Sequence, residues 1–238
     1  MRKVEEGEMI FDERKPVGST FLDLKRARKW DERSAKLESN YLEKSRRIAQ
    51  QLNLTETSTV VDLGCGSGFF TLELSKFCKK ILAVDISPVM LDLLSEKILS
   101  NDIPNIKCIH KGILEFLSEH DHADALILQV AFHHLPDFWK AVSIHHMARV
   151  LKPGGRVFLS DVIFSFPVSE YKEHFEELID LIASKGDDDF TKDAVNHLLE
   201  EHSTFDWVLE GMFQKSGFMM KSKSVKSSTY CDYVFEKE

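Results

Sequence analysis

Cysteine is scarce in this chain and shows no paired spacing. Four occur in 238 residues, at 65, 78, 108 and 231, and none stand in the close pairs that bind zinc or mark a disulfide framework. This argues against a small secreted, disulfide-stapled scaffold and points to a reducing compartment, the cytoplasm. Long apolar runs are missing as well. No stretch approaches the ~18 residues of a membrane span, and the opening Met1-Arg2-Lys3-Val4-Glu5-Glu6 carries no apolar signal segment. Basic residues are in the minority, 31 against 39 acidic, for a formal net charge of −8, so a phosphate backbone is not the default partner. Repeats and low-complexity segments are absent. The composition does supply 43% hydrophobic residues, enough for one α/β core with additions.

The most informative stretch is Val60-Val61-Asp62-Leu63-Gly64-Cys65-Gly66-Ser67-Gly68-Phe69-Phe70. It reads as a buried strand, a glycine turn and a helix start. Glycine permits positive φ and lets backbone N–H groups approach a ligand closely. A dinucleotide fingerprint requires a small residue where this chain has Phe69, and a phosphate loop requires Gly-Lys-Ser/Thr, which does not follow. Asp62 places a negative charge near the turn, which suits a ligand bearing a cationic amine better than a pyrophosphate.

The residues Asp-Leu-Gly-Cys-Gly-Ser-Gly resemble the first motif of the class I S-adenosylmethionine (SAM) methyltransferases. Four more features follow in that family's order: Ile81 to Asp85, an apolar strand ending in an acid; Ala125 to Val130, a strand leading to His133-His134-Leu135; Leu151 to Gly155, read as a helix-ending turn; and Val157 to Asp161, another buried strand. The pattern is similar to the ubiquinone/menaquinone C-methyltransferase type over residues 55 to 163, and loosely over 204 to 238. The resemblance implies SAM as cofactor, with S-adenosylhomocysteine as product. Carried onto this chain, the cofactor residues are Asp62, Gly64, Cys65, Gly66, Asp85, Ile86, Gly112, Ile113 and Gln129. Asp85 is expected to accept hydrogen bonds from the ribose hydroxyls, a placement its 21-residue distance from Gly64 supports. One departure stands out. Where the family often has Gly-Asp after the third strand, this chain has Lys111-Gly112, so the adenine contact is expected from backbone groups near Gly112 and Ile113.

The apolar runs predict strands at 59–63, 80–84, 106–110, 124–130 and 155–163, and helices at 41–52, 68–79, 88–100 and 137–150. Ser87-Pro88 is a strong helix start, with serine at the N-cap and proline at the first position. Alternation of short buried strands with helices implies parallel βαβ units. A helix capped by Ser203 or Thr204 and stopped at Gly217, then strands at 218–224 and 229–235, complete the expected fold. That fold is α/β and Rossmann-like: a seven-stranded, mostly parallel sheet, helices on both faces, and the last strand antiparallel. Residues 1–54 form an N-terminal helical or lid segment, and 55–238 the SAM-binding domain. Residues 164–203 break the alternation and read as a helical lid insertion. They carry eleven acids against three lysines, including Asp187-Asp188-Asp189, read as a solvated loop. Their first helix has an apolar stripe at Tyr171, Phe175, Leu178, Ile179 and Ile182.

Methyl transfer from a sulfonium is an in-line displacement with a neutral leaving group, so positioning can do much of the work; a base is needed only where the acceptor must lose a proton. His133 is the candidate for that catalytic role. The expected substrate pocket comprises His133, Asp161, Phe164 and Tyr171. Neither the cysteines nor the mid-helix His145-His146 pair has metal-site spacing, and no metal is expected. Lys25-Arg26-Ala27-Arg28-Lys29-Trp30 is the one dense basic stretch; it fits RNA contact with Trp30 stacking on a base, or a solvated helix face anchored by one aromatic. The leading expectation is a methyltransferase acting on a small molecule, with no nucleic-acid or membrane partner. The alternatives are a methyltransferase of RNA or protein, and a SAM-binding protein without transferase activity.

Overall fold

A computed structural model describes residues 11–15, 23–37, 40–119, 122–184 and 188–238. Residues 1–10, 16–22 and 38–39 of the expected N-terminal lid, with Phe21-Leu22, and Asp187 of the aspartate run lie outside the described residues. Two helices, α1 (Leu24–Leu37) and α2 (Tyr41–Gln51), precede an alternating core. That core runs β1 (Thr59–Leu63), α3 (Phe69–Leu74), β2 (Lys80–Asp85), α4 (Pro88–Ser100), β3 (Ile106–His110), α5 (Ile113–Glu119), β4 (Ala123–Gln129), α6 (Asp137–Val150) and β5 (Leu151–Phe164). The chain continues through α7 (Tyr171–Ala183), α8 (Asp188–Glu200), β6 (Thr204–Phe205), α9 (Asp206–Lys215), β7 (Phe218–Ser227) and β8 (Tyr230–Lys237).

The sheet order is β3-β2-β1-β4-β5-β8-β7, with the two-residue β6 beside the end of β5. β1 to β5 pair in parallel, and β8 runs antiparallel to both its neighbours. This is the expected Rossmann-like sheet with one short strand added. Successive residues point to opposite faces of a strand, and the core divides accordingly. Val61, Leu63, Leu126, Leu128, Val157 and Leu159 pack on one face with α5, α6 and α9. Val60, Ile81, Ala83, Ala125, Ile127 and Phe158 pack on the other with α2, α3 and α4. With both faces covered, the strands read as continuous apolar runs.

Several expected elements differ. Helix 68–79 is shorter: α3 ends at Leu74 and a 3₁₀ turn carries Ser75–Phe77. α5 was not foreseen, because a seven-residue helix shows fewer than two turns of periodicity. Leu151 to Gly155 is not a turn but the first part of β5, which follows α6 directly. The pairing with β4 slips there between Ala123 and Ala125, and Gly154 adopts φ 74, so the Pro-Gly-Gly chemistry produces a bulge rather than a break. Ser203 and Thr204 do not cap α9. Thr204 lies in β6 and its hydroxyl donates to Asp137 Oδ2 at 3.1 Å, while α9 starts after Phe205 without a side-chain cap. Pairing with β5 outcompetes the local cap. Asp188 and Asp189 open α8 rather than lying in a loop.

Candidate active site

The carboxyl ends of β1, β2, β4 and β5 converge on one edge, and the glycine turn lies across it. Gly64 and Cys65 both donate to Val84 O, at 2.8 and 3.1 Å, which folds the turn back against β2. Gly64 has φ 75, and a Cβ there would overlap that of Ala131, so only glycine fits. Gly66, at φ 54, has open space where a Cβ would point.

Asp85 faces that space. One carboxylate oxygen accepts Gly66 N–H at 2.8 Å and the other accepts Ser87 N–H at 2.8 Å. Each oxygen retains acceptor capacity. Burial raises the Asp85 carboxyl, opposed by these two amide bonds. Asp62 lies beneath the turn, 3% exposed, and accepts the Thr71 hydroxyl at 2.7 Å. Burial lifts it to about 6, the Thr71 bond opposing and the Asp85 charge adding. The structure thus brings Asp62, Gly64 to Gly66 and Asp85 together as the motif implied. An electronegative cradle of this kind fits a cationic ligand with vicinal hydroxyls.

The start of α5 holds a group the sequence did not reveal. Glu13 accepts the N–H groups of Ile113 and Leu114 at 2.7 and 3.0 Å, and its carboxylate fills the space a side chain at 112 would need. An acid from the N-terminal segment therefore occupies the amides expected to meet adenine. Ile86 carbonyl is engaged by His110 Nε2 at 2.9 Å. Gln129 ends β4 half-buried, and the next residue, Val130, is 43% exposed at φ 51. A β-branched residue at that φ is strained, and it marks the point where the chain leaves the sheet toward His133.

The turn after β4 is tied to β5 through Asp161. Its Oδ2 accepts Phe132 N–H at 2.7 Å, while Oδ1 lies 2.6 Å from His133 Nδ1 and 2.7 Å from Val162 N. His133 Nε2 lies 3.2 Å from Glu201 Oε2, and the same carboxylate pairs with His197 Nδ1. Burial of the ring disfavours its charge, but the Asp161 and Glu201 carboxylates outweigh this and hold His133 up to about 9. Burial and the neighbouring imidazolium push His134 down to about 4. Both ring nitrogens of His133 are engaged, so the ring can take a proton from an acceptor only if the Glu201 contact opens. Glu201 and His197 escaped the sequence reading. Their i, i+4 spacing was the available signal, but nothing in the sequence linked them to His133.

Phe164 lies at the end of β5 in an aromatic cluster, with ring centroids 5.4 Å from Phe166 and Phe175 and 5.6 Å from Phe205. Tyr171 reaches it edge-on through Phe175 and is 45% exposed. The stripe of α7 meets this cluster and α8, and none of its side chains is fully buried.

Residues 60–155 match the family model for a methyltransferase domain. An uncharacterized methyltransferase of Schizosaccharomyces pombe is 27% identical over 188 residues, 71% of this chain. The demethylmenaquinone methyltransferase of Staphylococcus aureus is 26% identical over 184 residues, 73% of each chain. The fold of an O-methyltransferase family protein from Burkholderia thailandensis superposes with a TM-score of 0.67 at 15% identity, over 91% of this chain and 60% of that one. Over residues 60–155 the chain carries a methyltransferase domain, and the chain is similar in sequence and fold to class I SAM-dependent methyltransferases. It spans 64% of the length of the S. pombe relative. No helix among the described residues is long and apolar enough to cross a membrane.

Proposed function

We propose that this chain transfers a methyl group from SAM to a small-molecule acceptor. The observation that carries the reading is the Asp85 carboxylate. It is fixed by Gly66 and Ser87 N–H groups with acceptor capacity left for two hydroxyls, beside the open face of Gly66. When bound, SAM supplies an electrophilic methyl on a sulfonium. Asp85 would hold the ribose, Asp62 would lie toward the cationic amine, and Gly64 to Gly66 would admit the backbone. The aromatic cluster of Phe164, Phe166 and Phe175 gives an apolar wall toward the acceptor. The insertion at 164–203, which carries Glu201, would exclude water once an acceptor is bound. Adenine contact through Ile113 requires Glu13 to move aside. Four free thiols fit a reducing compartment, and we place the protein in the cytoplasm.

The RNA reading draws less support. Arg26 pairs with Asp193 at 2.6 Å, and Trp30 packs against the Ala27, Met90 and Leu93 cluster, so the aromatic is committed to the fold. The test is transfer of labelled methyl from SAM to panels of quinols, phenols and amines, to RNA and to protein. Label in a small-molecule panel is expected. Transfer confined to RNA, with a steep salt dependence, would replace this reading.

A further inference from the structure

Three side chains from two separate parts of the chain meet behind the acceptor side. His133, His134 and Glu201 each offer a donor atom, and the three atoms lie within 4.8 Å of one another. The His133 and Glu201 side chains are 4% and 3% exposed. We propose that His133, His134 and Glu201 bind a divalent transition-metal ion of the Zn²⁺ class, which clasps the insertion to the turn after β4.

The donor set is two imidazoles and one carboxylate, which such ions accept while leaving a coordination position open. The geometry of His133 favours ligation. Its Nδ1 is held 2.6 Å from Asp161 Oδ1, which keeps one proton on Nδ1, so that an ion at Nε2 would displace the second proton of the imidazolium and take Nε2 as its donor. Metal-ligating histidines commonly have a carboxylate partner of this kind. Asp161 is itself locked by the Phe132 and Val162 amides, so the ring is preset. The Nε2 to Glu201 Oε2 separation is 3.2 Å. Two donors about 2.1 Å from a tetrahedral ion lie about 3.4 Å apart, whereas a direct imidazolium–carboxylate bond is shorter, about 2.7–2.9 Å. The His134 ring centroid lies 4.2 Å from that of His133, so the second imidazole reaches the same point. His197, 4.5 Å from His133 between ring centroids, pairs through Nδ1 with the same Glu201 Oε2 that faces His133. Its Nε2 meets Ser203 Oγ at 2.8 Å.

The bland alternative is a metal-free ion-pair clasp, His133 to Glu201 to His197. Sequence spacing could not raise the metal reading, because the turn at 133–134 and the residue at 201 belong to elements separated by α6, β5, α7 and α8.

The test uses the full chain, stripped with a chelator and titrated with CoCl₂ in the absence of SAM and acceptor, so its outcome is independent of methyl transfer. The expected result is one equivalent of Co²⁺ with the visible d–d absorption of a low-coordinate nitrogen/oxygen site. His134→Gln and Glu201→Gln should each weaken binding at least about tenfold, and exposed His145→Gln should leave it unchanged. ZnCl₂ should raise the melting temperature of the wild type and of His145→Gln, but not of the two ligand variants. Near-ultraviolet circular dichroism checks that each variant folds, and His134→Gln serves if Glu201→Gln does not. Absence of d–d absorption, binding retained in both ligand variants, or thiolate charge-transfer bands placing the ion on cysteine would each overturn the proposal.

Discussion

His133 Nδ1 lies 2.6 Å from Asp161 Oδ1, so a buried ion pair joins the turn after β4 to the end of β5, 28 residues later in the chain. The same carboxylate accepts two backbone amides at 2.7 Å. Asp161→Asn would turn a donor toward one of these N–H groups and remove the charge facing His133. Breaking a buried pair costs about 3–5 kcal/mol. Urea unfolding at neutral pH should show a loss of about this size; a change below about 1 kcal/mol would mean that Asp161 does not anchor the turn.

Asp85→Ala removes the acceptor proposed for the ribose hydroxyls. SAM affinity should fall by about 1.5–3 kcal/mol, the range for hydrogen bonds to a charged group. The fold should persist, because Asp85 ends β2 rather than filling the core. Isothermal calorimetry checks the affinity, and unchanged binding would remove Asp85 from the cofactor site.

Asp62 gives a pH signature. Its folded carboxyl is raised from 3.8 to about 6, so between these values the folded state binds more protons than the unfolded chain. Stability from this group falls as pH rises through that window and is level above it. SAM affinity should move the opposite way, rising from about pH 5 to 7 as Asp62 ionises beside the amine. Asp62→Asn should flatten both trends, with Asp85 intact. Equal pH slopes in mutant and wild type would exclude contact between Asp62 and the amine.

Gly64→Ala tests the turn. Positive φ and overlap with Ala131 act together, and the substitution should destabilise by about 1–3 kcal/mol and abolish SAM binding. Thermal melts with and without SAM read both effects.

The insertion should open more easily than the sheet. No side chain of α7 is fully buried, whereas Val60, Val61, Asp62 and Leu63 in β1 are. Amides of 171–184 should exchange faster than those of 59–63 without ligand and slow with SAM plus acceptor. Protection equal to β1 and insensitive to ligands would make α7 a fixed part of the core.

The sequence alone determined the sheet. β1, β3, α4 and α6 fall where apolar runs, Ser87-Pro88 and the glycine turn place them, because a parallel strand buried on both faces leaves little freedom in residue type. It also determined that Asp62, Gly64, Gly66 and Asp85 lie together at one strand edge, since they are held by local βα geometry. The tertiary structure alone decided the rest. Leu151 to Gly155 joins a strand because β4 supplies partners that a local turn would forgo. Thr204 pairs with β5 instead of capping α9 for the same reason. Glu13 reaches the amides of α5 from 100 residues away, and Glu201 reaches His133 across the whole insertion. Such contacts carry no period or spacing along the chain. They exist only once hydrophobic burial has brought the elements together and left buried polar groups that must find partners in the fold.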